Sequence, residues 1–597
     1  MIATLALWHP AASAFSPAAM QPLPSIIQRL PLPSLVSRNA LWSARASGTI
    51  AGSALTGEAE RSASQKKRHT LLTFGYTGTG WYGLQSHSAD GDPNMPTVSD
   101  AIRKALLSEG FIAPSNFVTL ERTKWTLASR TDKGVHAACA AASVMLETYT
   151  EDLIEQDELE RRGDPAALEH AADVADYERR VAAAEKQVGM TLAEASATGL
   201  KLAIGRQPPD GRENWQLSAG ALARINAALP DGVRIFSGTR VRKRFSAREE
   251  ASGRTYEYLL PLHALGDDCS PEAFDEILRT FEGTHRFHNF ASGLRKRYEE
   301  AGEYVVGGDG PHAGEAWPLG LTEGGHTSAA FRSVITARVI SHLEIEGTPY
   351  LLLRIAGLAF VLHQIRHMVG AALAVANGVV PRDAFEIALN SPLRIDVAPL
   401  VPGMGLLLDE ISWFSLKTGQ YEARLPADAR EAMETFKREV LYPHIHELYA
   451  DGAYDLFLER LRAEPEPHHD SYRAEDYERL RRVHAAWKDE LQVKVERRAE
   501  MRRQKREALQ AERDQAMAKG EPLPTGKPKK SRGHRDVLPG GLHVQICKEY
   551  QVMPGPETHA ALETLRTMAN AGELPSGEHY DIYLKALRSV RPDGLRS

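Results

Sequence analysis

A mixed α/β protein of more than one domain is predicted by three observations. The chain has 597 residues, too many for a single compact core. Strand-like and helical runs alternate from Leu217 to about Phe414, and a β-type run stands earlier at Arg68–Phe74. Hydrophobic residues make up 43% of the chain and charged residues 25%, the proportions of an ordinary globular protein. No run of eighteen apolar residues occurs, so no transmembrane helix and no membrane partner are expected. The three cysteines, Cys139, Cys269 and Cys547, form no CxxC pair, which argues against a disulfide framework or a cysteine zinc site. A net charge of -6 argues against a uniformly basic nucleic-acid binder, though a local positive surface is enough to hold RNA.

Taken in order, residues 1–67 read as a leader. Met1 to Gly57 contains no Asp or Glu, while Arg29, Arg38 and Arg45 sit among Ser, Ala and Pro. That is the composition of an organelle transit peptide. The apolar opening, Met1–Ala14, followed by Phe15, also resembles a short signal ahead of a plastid transit sequence, although His9-Pro10 interrupts it. A plastid or mitochondrial destination is expected, with nucleus or cytoplasm as the alternative. Ordered sequence starts at Arg68, and residues 68–262 form a first half. Within it, about 150–212 is a helix-forming insertion; Glu151–Met190 carries twelve acids against five bases. Residues 263–418 form a second half, interrupted by a Gly-rich loop at about 298–326. A helical extension follows over 419–470. The next segment, 471–537, is charged and helix-forming, with nineteen Lys and Arg against twelve acids over Ser471–Asp536. It reads either as a solvated single helix or as an arm touching RNA phosphates. Ala561, Leu562, Leu565 and Met568 mark 538–597 as a small helical appendix.

One motif misleads. Gly78-Thr-Gly80-Trp-Tyr-Gly83 fits GxGxxG after a strand, as a dinucleotide site would. Such a site needs a helix to open at once, and Ser86–Pro96 holds Asp, Gly and two Pro instead. Trp81 and Tyr82 would also crowd the phosphates. A glycine-permitted turn that aims aromatics at a neighbouring surface is the better reading.

The chemistry points to Ser129-Arg130-Thr131-Asp132-Lys133-Gly134-Val135-His136. An Asp shortly before Gly is, taken alone, a turn residue. Three more blocks change that reading: Arg244–Arg248 continuing to Arg254-Thr-Tyr256-Glu-Tyr258, Phe281–Phe290, and Leu362-His363-Gln-Ile-Arg366-His367-Met-Val-Gly370. Together they resemble the tRNA pseudouridine synthase A family. The eukaryotic-type branch is favoured by Thr131-Asp-Lys-Gly134, by Gly75–Gln85 and by Pro402–Leu408. Six blocks in family order cover roughly Arg68 to Leu416.

The resemblance implies two ferredoxin-like halves whose antiparallel sheets run into one long sheet, helices on one face, and a cleft between the halves. It implies tRNA as partner, a homodimer as the common assembly, and an isomerisation that takes no cofactor. Asp132 matches the catalytic carboxylate, as nucleophile towards the sugar or as base towards an unsaturated sugar intermediate. Arg366 matches its basic partner. Tyr256 matches the aromatic that packs against the extruded uracil, where stacking is worth roughly 1–3 kcal/mol. Arg130 is expected to brace the loop or to insert where the base leaves. Arg248, Arg254 and His363 are expected to face RNA. No spacing of His, Glu or Cys indicates a metal. A catalytically idle RNA-binding protein on the same scaffold is the rival, and it has no need of the carboxylate.

Overall fold

The structure is a computed structural model. It describes residues 65–87, 92, 94–163, 165–197, 215–292, 331–390, 397–463, 474–519, 538, 541–571, 574 and 580–590. Most of the expected leader, the Gly-rich loop at 298–326 and the basic run Lys527–Arg532 lie outside the described residues.

Among the described residues, eleven strands form one sheet. They are β1 (Lys66–Tyr76), β2 (Thr126–Leu127), β3 (His136–Thr148), β4 (Leu153–Glu155), β5 (Trp215–Leu217), β6 (Val233–Arg240), β7 (Gly253–Pro261), β8 (Gly283–Arg286), β9 (Phe331–Ile345), β10 (Thr348–Gly357) and β11 (Leu406–Ser412). The order β4-β5-β6-β1-β3-β11-β7-β10-β9-β8, with β2 beside β3, hides a repeat. In the first half, β1, helix Val98–Ser108, β2, β3, helix Ala219–Ala228 and β6 follow one another. In the second, β7, helix Pro271–Arg279, β9, β10, helix Gln364–Ala376 and β11 do the same. Both halves place their strands fourth-first-third-second: β6-β1-β3-β2 and β11-β7-β10-β9. These are the two ferredoxin-like halves, and two details differ from expectation. The second half begins at Gly253 rather than at 263, because β7 lies between β11 and β10. The seam is not antiparallel: β11 meets β3 in a short parallel pairing, Leu407 opposite His136 and Leu408 opposite Ala137. A third strand and a fourth strand that point the same way can join only so.

Every residue from His69 to Tyr76 on β1 and from His136 to Val144 on β3 is buried, so both faces of the central sheet are covered. The apolar runs Leu71-Leu72 and Ala137–Ala142 suit strands buried on both sides. One of those covers is the 419–470 extension. Its helices Ala427–Phe436 and Tyr442–Ala450 join through a π turn at Lys437–Leu441, and Ala453–Arg462 follows after Gly452. A Cβ on Gly75 would strike Phe436, so the smallest residue sits where the helix lies closest. Lys437 Nζ reaches Asp409 at 2.7 Å and Glu257 at 3.4 Å. Period-two alternation sends the neighbours Tyr76 and Tyr256 to the other face.

The insertion is helical where described: Gln156–Arg161, Pro165–Val188 and Leu192–Ala197. It leaves the first half between β3 and β5, on the outer side of the sheet away from the seam. Helix Ala474–Lys519 spans 46 residues; Tyr477 and Leu480 are buried near its start, and Val493 and Met501 are exposed further on. The appendix, helices Leu542–Tyr550, Pro556–Asn570 and Tyr580–Val590, has its own core of Leu542, Ile546, Ala561, Leu565 and Leu587. It is fastened to the second half by Lys548 Nζ on the Glu282 carbonyl at 2.9 Å and by Gln551.

Candidate active site

In the second half β9 turns into β10 at Glu346-Gly347, but in the first half the matching β2–β3 link is the eight-residue loop 128–135. That added length puts Asp132 at the seam. The loop is shaped from behind by the glycine motif. A Cβ on Gly78 would overlap the Val135 carbonyl, and one on Gly83 would lie 2.9 Å from the Thr131 carbonyl. Leu84 N donates to that same Thr131 oxygen, and Gly78 N donates to His136 Nδ1 at 2.9 Å. The glycines therefore exist for close approach to the catalytic-type loop, not to a phosphate. Trp81 is buried and Tyr82 exposed, with Lys133 Nζ 4.1 Å from the Tyr82 ring centre. Tyr76 and Thr131 share a 2.6 Å hydrogen bond that ties the loop to β1.

Across the seam, helix Gln364–Ala376 and its N-cap supply Arg366 and His363. His363 stands at its N-cap with φ +60°, a left-handed conformation that costs a side-chain-bearing residue on the order of 1 kcal/mol. Its Nε2 lies 3.5 Å from Asp132 Oδ2. Burial pushes the Asp132 carboxyl above its ordinary range, and the charges of His363 and then Arg366 oppose that shift. Burial in turn lowers His363, against the pull of the Asp132 charge. Arg366 is held by its Nε donating to the Val401 carbonyl at 2.8 Å, and burial lowers it while Asp132 raises it. Tyr256, on β7, is buried edge-to-face against Phe360 with ring centres 5.5 Å apart. Burial raises its phenol most, Ser129 hydrogen-bonds it, and Asp132 is near enough to raise it further.

The structure thus brings Asp132, Tyr256, Arg366 and His363 together. Arg254 does not reach outward. Its guanidinium donates to the Ala251 and Leu358 carbonyls and, at 2.6 Å, to that of Ala128. It is Arg254 that braces the loop from below, while Arg130 is exposed at the loop's surface. Arg248 is exposed on the short helix Ala247–Glu250. Two residues escaped sequence reasoning. Ser292 Oγ lies 2.8 Å from His363 Nδ1 and 3.0 Å from His367 Nε2, and His367 Nδ1 lies 2.6 Å from the Ala398 carbonyl. The spacing of His363 and His367, one helical turn, was the available signal for the second. Ser292 had none. Among the described residues no group of three or more His, Cys, Asp or Glu is arranged to hold a metal ion.

The family described as tRNA pseudouridine synthase matches residues 322–413, which include β9, β10, the His363–Arg366 helix and β11. Over those residues the chain is similar to the tRNA pseudouridine synthase family. It is 23% identical over 393 residues to the human pseudouridylate synthase 1 homolog, covering 63% of this chain and 68% of that one. It is also 23% identical over 468 residues to tRNA pseudouridine synthase 1 of Candida glabrata, covering 66% and 70%. To the Saccharomyces cerevisiae protein of that name it is 22% identical over 409 residues, 58% and 61% of the two chains. Pseudouridine synthase likeness therefore extends beyond the 322–413 match, over about two thirds of the chain.

Proposed function

We propose that this chain isomerises uridines in tRNA to pseudouridine, with Asp132 as the reacting carboxylate. The observation that carries the reading is a half-buried carboxylate at the seam, faced by His363 and Arg366 and accompanied by Tyr256. A sugar-directed carboxylate has to be ionised in a partly dry site, and the nearby Arg366 cation favours that form. Tyr256 supplies an aromatic wall for a uracil taken out of its stack. Arg130, Lys133 and Arg248, exposed at or near the loop side, suit phosphate contacts. Incubating unmodified tRNA with the protein and mapping pseudouridine at single-base resolution tests the reading. Modified positions are expected with the parent and none with Asp132→Asn. Binding of tRNA without modification by the parent would favour the idle scaffold.

The leader and the assembly belong to the same proposal. Residues 1–67 are read as an organelle address, supported by fifty-seven residues without an acid. Fused to a fluorescent protein they should direct it to a plastid or mitochondrion; nuclear or cytoplasmic fluorescence would remove the assignment. Two copies are read as embracing one tRNA, which sedimentation with and without tRNA checks.

A further inference from the structure

We propose that His363 is the base that takes the proton leaving C5 of the uracil, its Nε2 held bare beside Asp132 by Ser292 and His367. This rests on the pseudouridine reading. The tautomers follow from the acceptors. The Ala398 carbonyl can only accept, so His367 carries its hydrogen on Nδ1. When His367 is neutral it offers a lone pair at Nε2, to which the Ser292 hydroxyl 3.0 Å away can donate. With its one hydrogen spent, Ser292 Oγ accepts from His363 Nδ1. Neutral His363 therefore points a lone pair, not an N–H, at the Asp132 side of the cleft.

The reaction needs such a group. The C1′–N1 bond breaks, the uracil turns, and a C1′–C5 bond forms. C5 then holds both the new bond and its original hydrogen. That proton has to leave, its electron pair returning to the ring, and N1 has to gain one. If Nε2 takes the proton from C5 and releases it to N1, no atom is gained or lost and His363 is restored. Reach follows from Asp132: its carboxylate must touch the sugar at C1′ or its neighbour C2′, and C5 ends one bond from C1′. A lone pair 3.5 Å from Oδ2 borders the departing hydrogen, and the carboxylate stabilises the imidazolium once formed. The other groups facing the cleft suit the task less. Arg366 on the same helix has no lone pair to offer, and Lys133 on the loop lies over the Tyr82 ring. Tyr76 on β1 and Tyr256 on β7 are phenols kept protonated by burial and bonded to Thr131 and Ser129.

Single-turnover conversion of tRNA carrying hydrogen or deuterium at uridine C5 tests this. The parent is expected to be nearly indifferent to deuterium. His363→Gln should be slower by about 10²-fold, and its remaining turnover should slow further with deuterium, because loss from C5 has become the limiting step. In His363→Ala, added imidazole should restore part of the rate. A merely structural role would move neither readout. A His363→Gln enzyme at the parental rate, or a slow one indifferent to deuterium, overturns the assignment. If that variant does not fold, Ser292→Ala carries the test. It frees the imidazole to turn its N–H toward Asp132, so a slower step with a deuterium effect is expected and an unchanged rate refutes the lock. A parent that makes no pseudouridine at all, while Asp132→Asn behaves identically, would instead remove the reaction on which the inference rests.

Discussion

At Asp132 two opposing effects meet: burial favours the neutral acid, while Arg366, and His363 whenever it is protonated, favour the carboxylate. The net shift is upward, so the folded state binds this proton more tightly than the unfolded chain does. Stability from this group is present at low pH and lost as pH rises through the folded pKa. Ionised Asp132 therefore costs stability at neutral pH, as a strained functional group does. Asp132→Asn should abolish turnover, by about 10³-fold or more, leave tRNA affinity within about threefold, and raise the melting temperature at pH 7. The gain in melting temperature should shrink towards pH 4; a gain independent of pH would contradict the sign. Arg366→Met removes the permanent charge that holds the carboxylate down. The acidic limb of the pH–rate profile should move to higher pH and turnover fall by about 10²-fold. Arg366→Lys should restore only part, because the Nε bond to Val401 needs the guanidinium's geometry. An unmoved acidic limb in the Met variant would separate Arg366 from Asp132.

On the sheet's far face the π turn at 437–441 sinks Lys437 between Asp409 and Glu257. Glu257 is also held by Arg354 at 2.8 Å and by the Tyr442 hydroxyl at 2.9 Å. Burial first, and then the Glu257 charge, push Asp409 up to about 6. Lys437 is raised by its two carboxylates despite its burial. Lys437→Met leaves two buried carboxylates facing one another and should destabilise by about 3–5 kcal/mol in urea unfolding at pH 7.5. With Asp409 raised above its unfolded value, protonation favours the folded state, so the deficit should narrow as pH falls below about 6. A deficit equal at pH 7.5 and pH 5 would mean that lost packing, not charge, is what the variant reports.

At the scale of the molecule, the catalytic-type sheet carries two distant attachments: the acidic insertion beyond β3, and the long helix Ala474–Lys519 with its docked appendix. The appendix touches the second half through Lys548 and Gln551, so shortening the chain at Pro465 would strip the sheet edge as well as the charged helix. Neutralising Arg502, Arg503, Lys505 and Arg506 to Gln isolates the charge. If the helix lies along RNA, tRNA binding weakens and the salt slope becomes shallower by up to about three units, while the modified uridine stays the same. Equal affinity and slope would make it a solvated spacer, its charges met by neighbours on the same helix such as Glu500 on Arg503.

The linear chain already determined the helical character of 427–462, 474–519 and the appendix, and the loop on which Asp132 sits. These follow from local composition, periodicity and motif order, which need no partner distant in the chain. Arg254 and Arg130 show where that kind of inference stops. Both are arginines beside a motif, yet one is spent on three carbonyls under the loop and the other faces outward, a difference made by where β7 falls in the sheet. The pairing of Asp132 with His363, and the Ser292–His367 chain behind it, likewise depends on β11 meeting β3 in parallel and so bringing the second crossover helix to the first half's long loop. Helical spacing alone places His363 and His367 on one face. Which carboxylate that face meets was decided by strand order, because the side chains concerned come from three segments that only the folded sheet brings into hydrogen-bonding range.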